Sequence, residues 1–237
     1  MIMCPSLGTR GMLHRITAGR DFRIAEVPML RLDRVFALFL LGLVPAASGA
    51  TTPSPSNSTA PACITLVGTD GTNASALGTF TVIHRDLANN PIAGAQIVVD
   101  LSNAPDLRMC AQQVAPGVTL DCPNGRATAV TDANGVATFT LLGGSIGGPG
   151  MTLLNGGRIH ADGVLIRSPT VAAYDLDGQG GVGANDLACF LSDFGSGAPY
   201  GRSDYDCSGG IGANDFSFWL SAFGAGTQIV SCATSCP

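Results

Sequence analysis

"DLDGQGGVGAND", residues 175–186, and "DYDCSGGIGAND", residues 204–215, agree at eight of twelve positions and start 29 residues apart. Each copy sets three aspartates among glycines, which concentrates negative charge on permissive backbone. Repetition in register argues against an accidental surface turn. The same apolar stripe follows each copy: Leu187, Phe190, Leu191 and Phe194, then Phe216, Trp219, Leu220 and Phe223. The i, i+3, i+4, i+7 spacing predicts an amphipathic helix after each loop, stopped at Gly195 and Gly224. Neither helix can bury its stripe alone, so the two are expected to pack face to face around one small core.

The loop chemistry points to a hard cation. Calcium takes roughly six to eight oxygens, and a twelve-residue loop can supply them from positions 1, 3, 5, 7, 9 and 12. Counted from Asp175, the donors are Asp175, Asp177, Gln179, the Gly181 carbonyl and Asp186. The second loop offers Asp204, Asp206, Ser208, the Gly210 carbonyl and Asp215. Gly180 and Gly209 stand where the chain must turn, and Val182 and Ile211 are placed to pack against each other. Gly183 and Gly212 at position 9 leave that ligand to water. Two calcium ions per chain are expected, and their binding is expected to order the loops.

Two loop–helix units with Asp at position 12 and no preceding helix resemble a dockerin module, over about 171–226. The resemblance implies calcium binding and attachment to a cohesin-type or other cell-surface protein. It also implies partner contacts at loop positions 10 and 11, here Ala184, Asn185, Ala213 and Asn214. Gln179 and Ser208 replace the Asp or Asn usual at position 5, which implies weaker metal binding.

Residues 62–170 read as β-structure. Segments 78–86, 95–101, 126–132 and 136–142 are rich in Val, Ile, Thr and Phe, and "LANNPIAG" (87–94) and "DANG" (132–135) mark turns. Ile97, Val99 and Leu101 share one face; Ala137, Phe139 and Leu141 share another. "NNPIAGAQIVVDL" with "AVTDANGVATFTL" resembles bacterial immunoglobulin-like domains. The expected fold is mainly β: an immunoglobulin-like β-sandwich, then a small α-helical, EF-hand-like calcium-binding domain.

The flanks set the context. Residues 1–50 read as a leader, with a signal peptide over about 29–50: Arg31 and Arg34, an apolar run from Val35 to Val44, then Pro45 and small residues. That run is too short to span a membrane, so an exported product with no membrane span is expected. Residues 51–61, "TTPSPSNSTAP", read as a Pro/Ser/Thr linker. Residues 227–237 form a Cys-containing tail. Export makes the eight cysteines disulfide candidates, with Cys110–Cys122 the favoured local pair and Cys232–Cys236 a second.

Residues 51–237 carry six Arg against fourteen Asp, which excludes nucleic acid and anionic membranes as natural partners. Gly143, Ser145 and Gly147 match G-x-S-x-G, but "GPG" (148–150) follows where a nucleophile elbow needs a helix. Gly178, Gly180 and Gly183 match a dinucleotide fingerprint, yet phosphate there would face three aspartates. A non-catalytic protein is the preferred reading. The alternative is a component of polysaccharide degradation whose β-region binds or cleaves glycan.

Overall fold

The computed structural model describes residues 52–69, 75–224 and Cys236. The leader and signal peptide lie outside the described residues, as does the tail apart from Cys236. Strands β1 (Cys63–Leu66), β2 (Thr79–Ile83), β3 (Gln96–Asp100), β4 (Leu107–Met109), β5 (Thr119–Asp121) and β6 (Arg126–Val130) come first. Then follow β7 (Val136–Thr140), β8 (Gly143–Ser145), β9 (Arg158–Ala161), β10 (Val164–Arg167) and β11 (Thr170–Ala173). Helices α1 (Ala184–Ser196) and α2 (Ala213–Gly224) complete the described chain, which is mainly β.

A five-stranded sheet in the order β10-β9-β3-β6-β5 faces three strand pairs, β2–β7, β1–β11 and β4–β8. The alternation read from the sequence places the core. Ile97 and Val99 on β3, Ala127 and Ala129 on β6, and Ile159 and Ala161 on β9 all point inward. Phe80 and Val82 on β2, with Ala137 and Phe139 on β7, meet them from the opposite layer. The Phe80 and Phe139 rings stack with centroids 5.3 Å apart, across a register pair of β2 and β7.

Four expectations need correction. Residues 52–60 are not a free tether. Pro53 bridges to Asp86 and Thr59 to Ile83, so the segment adds itself to the edge of β2 and buries Ser54 and Ser58. Its polar side chains find partners there: Ser58 Oγ accepts from Arg85 N and lies 3.1 Å from His84 Nδ1.

The boundary at 170/171 is not a break either. Strand β11 straddles it and pairs in parallel with β1, from Cys63↔Thr170 to Leu66↔Ala173. All the described residues belong to one compact unit.

Cysteine pairing is long-range. Cys122 bonds Cys236 and Cys63 bonds Cys207, at separations of 114 and 144 residues, so neither Cys110–Cys122 nor Cys232–Cys236 forms. Cys110 and Cys189 are disulfide-bonded as well. The physical reason is that Cys110 and Cys122 face different cores. Cys110 packs with Val67, Leu142 and Phe190, whereas Cys122 packs with the cluster that holds Phe139 and Cys236.

Finally, the helical stripes do not make a core of their own. Phe190 and Trp219 are buried, but in one cluster with Val67, Leu142, Ala172 and Tyr174 from the β-region. Leu191, Phe194, Leu220 and Phe223 stay about half exposed. Gly195 lies inside α1, which ends one residue before Gly197, a left-handed cap at φ 69°.

Candidate metal centres

Each loop gathers its three carboxylates. Asp175, Asp177 and Asp186 offer ligand oxygens all within 4.8 Å of one another, and Asp204, Asp206 and Asp215 do the same. Two oxygens that each sit about 2.4 Å from one calcium can be no farther apart than roughly 4.8 Å, so both trios fit a single ion. The donor set is all oxygen and anionic, as a hard divalent cation requires.

The last aspartate of each loop organises it. Asp186 Oδ1 accepts from Leu176 N (2.6 Å) and Asp177 N (2.9 Å), and its Oδ2 accepts from Gly183 N (2.6 Å). Asp215 repeats this: Oδ1 accepts from Tyr205 N (2.7 Å) and Asp206 N (3.1 Å), and Oδ2 from Gly212 N (2.8 Å). Both carboxylates lie in the first turn of a helix, where free N–H groups and the dipole favour negative charge. The first aspartate folds the loop over. Asp175 Oδ1 takes Gly178 N and Gln179 N, and Asp204 takes Ser208 N and Gly209 N.

Charge is crowded in these loops. Burial pushes the Asp186 carboxyl up, and the neighbouring Asp177 charge adds to this; the backbone N–H groups offset only part. Burial also raises Asp204, helped by Asp215 and Asp206. Asp206 is lower than usual because Ser208 donates to it. A divalent cation would relieve both the crowding and the burial cost.

The remaining expected donors occupy looser positions. Gln179 and Ser208 are exposed, Gly181 is buried and Gly210 half-buried. Ser208 Oγ donates to the Gly210 carbonyl (3.3 Å), bringing positions 5 and 7 of the second loop together. Ala184, Asn185, Ala213 and Asn214 are all exposed, at the start of α1 and α2. Among the exposed residues of these helices there is no charged side chain.

The loops are bolted to the β-region. Ser145 N donates to the Asp175 carbonyl (2.7 Å), so the first loop continues from the edge of β8. Gly178 sits against the Ser145 carbonyl at φ +74°, where a Cβ would collide. In the second loop, Cys207 is tied to Cys63 on β1, and Tyr205 Oη donates to the Ala173 carbonyl (2.8 Å). Its ring stacks on Tyr174 at 4.9 Å, and burial raises its phenol well above the ordinary value.

Between the loops lies a buried network that sequence reading missed. Arg202 donates to both oxygens of Asp193, to Ser145 Oγ (3.1 Å) and to the Gly148 carbonyl (3.0 Å). Ser203 Oγ adds a bond to Asp193. One signal was present: Arg202 is the only cation after residue 171, set among seven aspartates. Ser145, the centre of the G-x-S-x-G match, is buried, and its hydroxyl donates to the Asp106 carbonyl (2.9 Å).

No protein-family model, curated protein or solved structure matches this chain.

Proposed function

We propose that this is an exported, non-catalytic binding protein: an immunoglobulin-like β-sandwich joined to dockerin-like repeats that bind two calcium ions and attach the chain to a cohesin-type or other cell-surface protein. The observation that carries this reading is the pair of carboxylate trios, alike in hydrogen bonding and each compact enough for one ion. Asp175, Asp177 and Asp186 hold the first ion and Asp204, Asp206 and Asp215 the second, with the Gly181 and Gly210 carbonyls, Gln179 and Ser208 completing the shells. Calcium supplies fixed positive charge that neutralises each trio.

The attachment surface is the exposed side of α1 and α2. Ala184, Asn185, Ala213 and Asn214 are exposed at the start of these helices, and Leu191, Phe194, Leu220 and Phe223 are half-exposed farther along them. An uncharged face of apolar, Ser and Asn side chains suits a protein partner better than a polyanion. Disulfides agree with an oxidising compartment. The non-catalytic reading draws support from the β-region aspartates. Asp86, Asp100, Asp106, Asp132 and Asp162 each accept hydrogen bonds that hold turns or strand ends.

Calorimetric titration of the full chain tests the core of this reading. Two ions per chain are expected, with protection from thermal unfolding. Absence of saturable calcium binding at millimolar concentration would overturn it.

A further inference from the structure

A cavity of about 370 Å³ opens where the end of β3, strand β4 and the turn before β6 meet. Its floor backs onto the buried Leu101, Ala104, Leu107 and Met109; the exposed Pro105 and Pro123 give it apolar surface, and Arg108 and Arg126 line it with charge. No acidic side chain is among the described residues of its wall. The volume lies in the range of small-molecule sites, about 300–1,000 Å³.

The two arginines are not consumed by the fold. Arg126 Nε donates to Asp100 Oδ2 (2.9 Å), but its two Nη groups have no hydrogen-bond partner among the described residues. Arg108 Nη1 donates to the Pro105 and Leu107 carbonyls, and its Nε and Nη2 are likewise without one among them. Residues 51–237 hold only six arginines and no lysine. Two of the six therefore meet on one cavity, in a region whose other charges are mostly negative. Asp100 answers only one of them; it is also the register partner of a third, Arg158.

The wall is held in place. Cys236 borders the cavity, is bonded to Cys122, and donates its N–H to the Met109 carbonyl (2.8 Å). A fixed wall lowers the ordering cost of binding.

We propose that this cavity binds a small organic carboxylate, gripped by Arg108 and Arg126 and resting its carbon skeleton on the exposed rings of Pro105 and Pro123. Guanidinium forks match a carboxylate in two-point contact, and hydrogen bonds to charged groups are stronger than neutral ones. The proposal does not depend on calcium in the loops.

The test is titration of the full chain at low ionic strength, by amide NMR shifts, with glucuronate and with hexanoate. Glucose and hexanamide are the neutral controls. Saturable one-to-one binding of at least one acid is expected, with shifts centred on residues 101–109 and 123–126 and none from the controls. The acid that binds tells a sugar acid from an aliphatic one. Arg108→Gln should weaken binding about tenfold or more while keeping the native amide NMR pattern away from the cavity. Arg126→Lys, which keeps a charge beside Asp100, provides the second arm should Arg108→Gln fold poorly, and it should also weaken binding. No saturation by either acid at tens of millimolar, equal binding of the neutral controls, or a folded variant with undiminished affinity would each overturn the proposal.

Discussion

Arg202 and Asp193 form a two-point ion pair sealed from solvent: Nε lies 2.6 Å from Oδ2 and Nη2 2.7 Å from Oδ1. Asp193 comes from α1, Arg202 from the turn before the second acidic loop, and the guanidinium reaches on to Ser145 in β8. One buried charge pair thus joins both repeats to the β-region. A buried pair need not stabilise relative to an apolar replacement, but breaking it leaves an uncompensated charge.

Asp193→Ala should therefore cost about 3–5 kcal/mol, read as a lower urea midpoint. Because the cores adjoin, unfolding should be one event. Trp219, the single tryptophan, reports on α2, and the amide NMR signals of Val98 and Thr128 report on the paired strands β3 and β6. The two signals should give coincident transitions. A separate early transition in Trp219 fluorescence would show that the repeats unfold by themselves.

Asp177→Asn and Asp206→Asn should each reduce calcium stoichiometry from two ions to one, measured by calorimetry. Each change keeps the side chain's size and removes one of three charges in a trio. Retention of two equally tight sites in either variant would count against the assigned loops.

Gly178 and Gly180 have nearly equal φ, +74° and +73°, in different surroundings. Gly180→Ala should cost only left-handed strain, about 1–2 kcal/mol. Gly178→Ala adds a collision with the Ser145 carbonyl and should cost more. Thermal melts of the two variants give the comparison directly; equal costs would mean that the first loop does not press on β8.

Replacing both Cys63 and Cys207 with serine releases a link that spans 144 residues. Loss of such a link should cost about 2–5 kcal/mol in denaturant unfolding.

His84 is buried beside Ser58, and its Nε2 lies 4.0 Å from Asp162 Oδ2. Burial lowers its pKa below 6.5, with the Asp162 charge offsetting part of the shift. The unfolded chain then binds the proton more readily than the folded one. Stability from this group is complete above about pH 6.5 and falls as pH drops through the folded value. Melting temperature should decline over that window in the native chain and decline less in His84→Gln. Asp100 adds a second, lower window. Burial raises its carboxyl, but hydrogen bonds from Ser102 and the Arg126 charge outweigh this and leave it below 3.8. Its contribution is full above the unfolded value and disappears as pH falls through the lowered one.

Much of the architecture was written locally. Alternation fixed which residues of β3 and β7 face inward, since side chains on a strand change side at every residue. The duplicated loop announced both helices, because Asp186 and Asp215 close their own loops and cap their own helices through bonds no longer than ten residues in sequence. Chemistry that acts over one or two turns is legible in one or two turns of sequence.

What the tertiary structure decided lies between distant residues. Strands β4 and β8 are three residues each, and β8 contains two glycines, too short and too plain for any pattern to announce. The parallel pairing of β1 with β11 and the Cys63–Cys207 bond join segments more than a hundred residues apart. The division of the helical stripes, with Phe190 and Trp219 inside and Leu191, Phe194, Leu220 and Phe223 outside, depends on which β-surface arrives to cover them. Periodicity tells a side chain which way it points; only closure of the whole chain determines what it meets there.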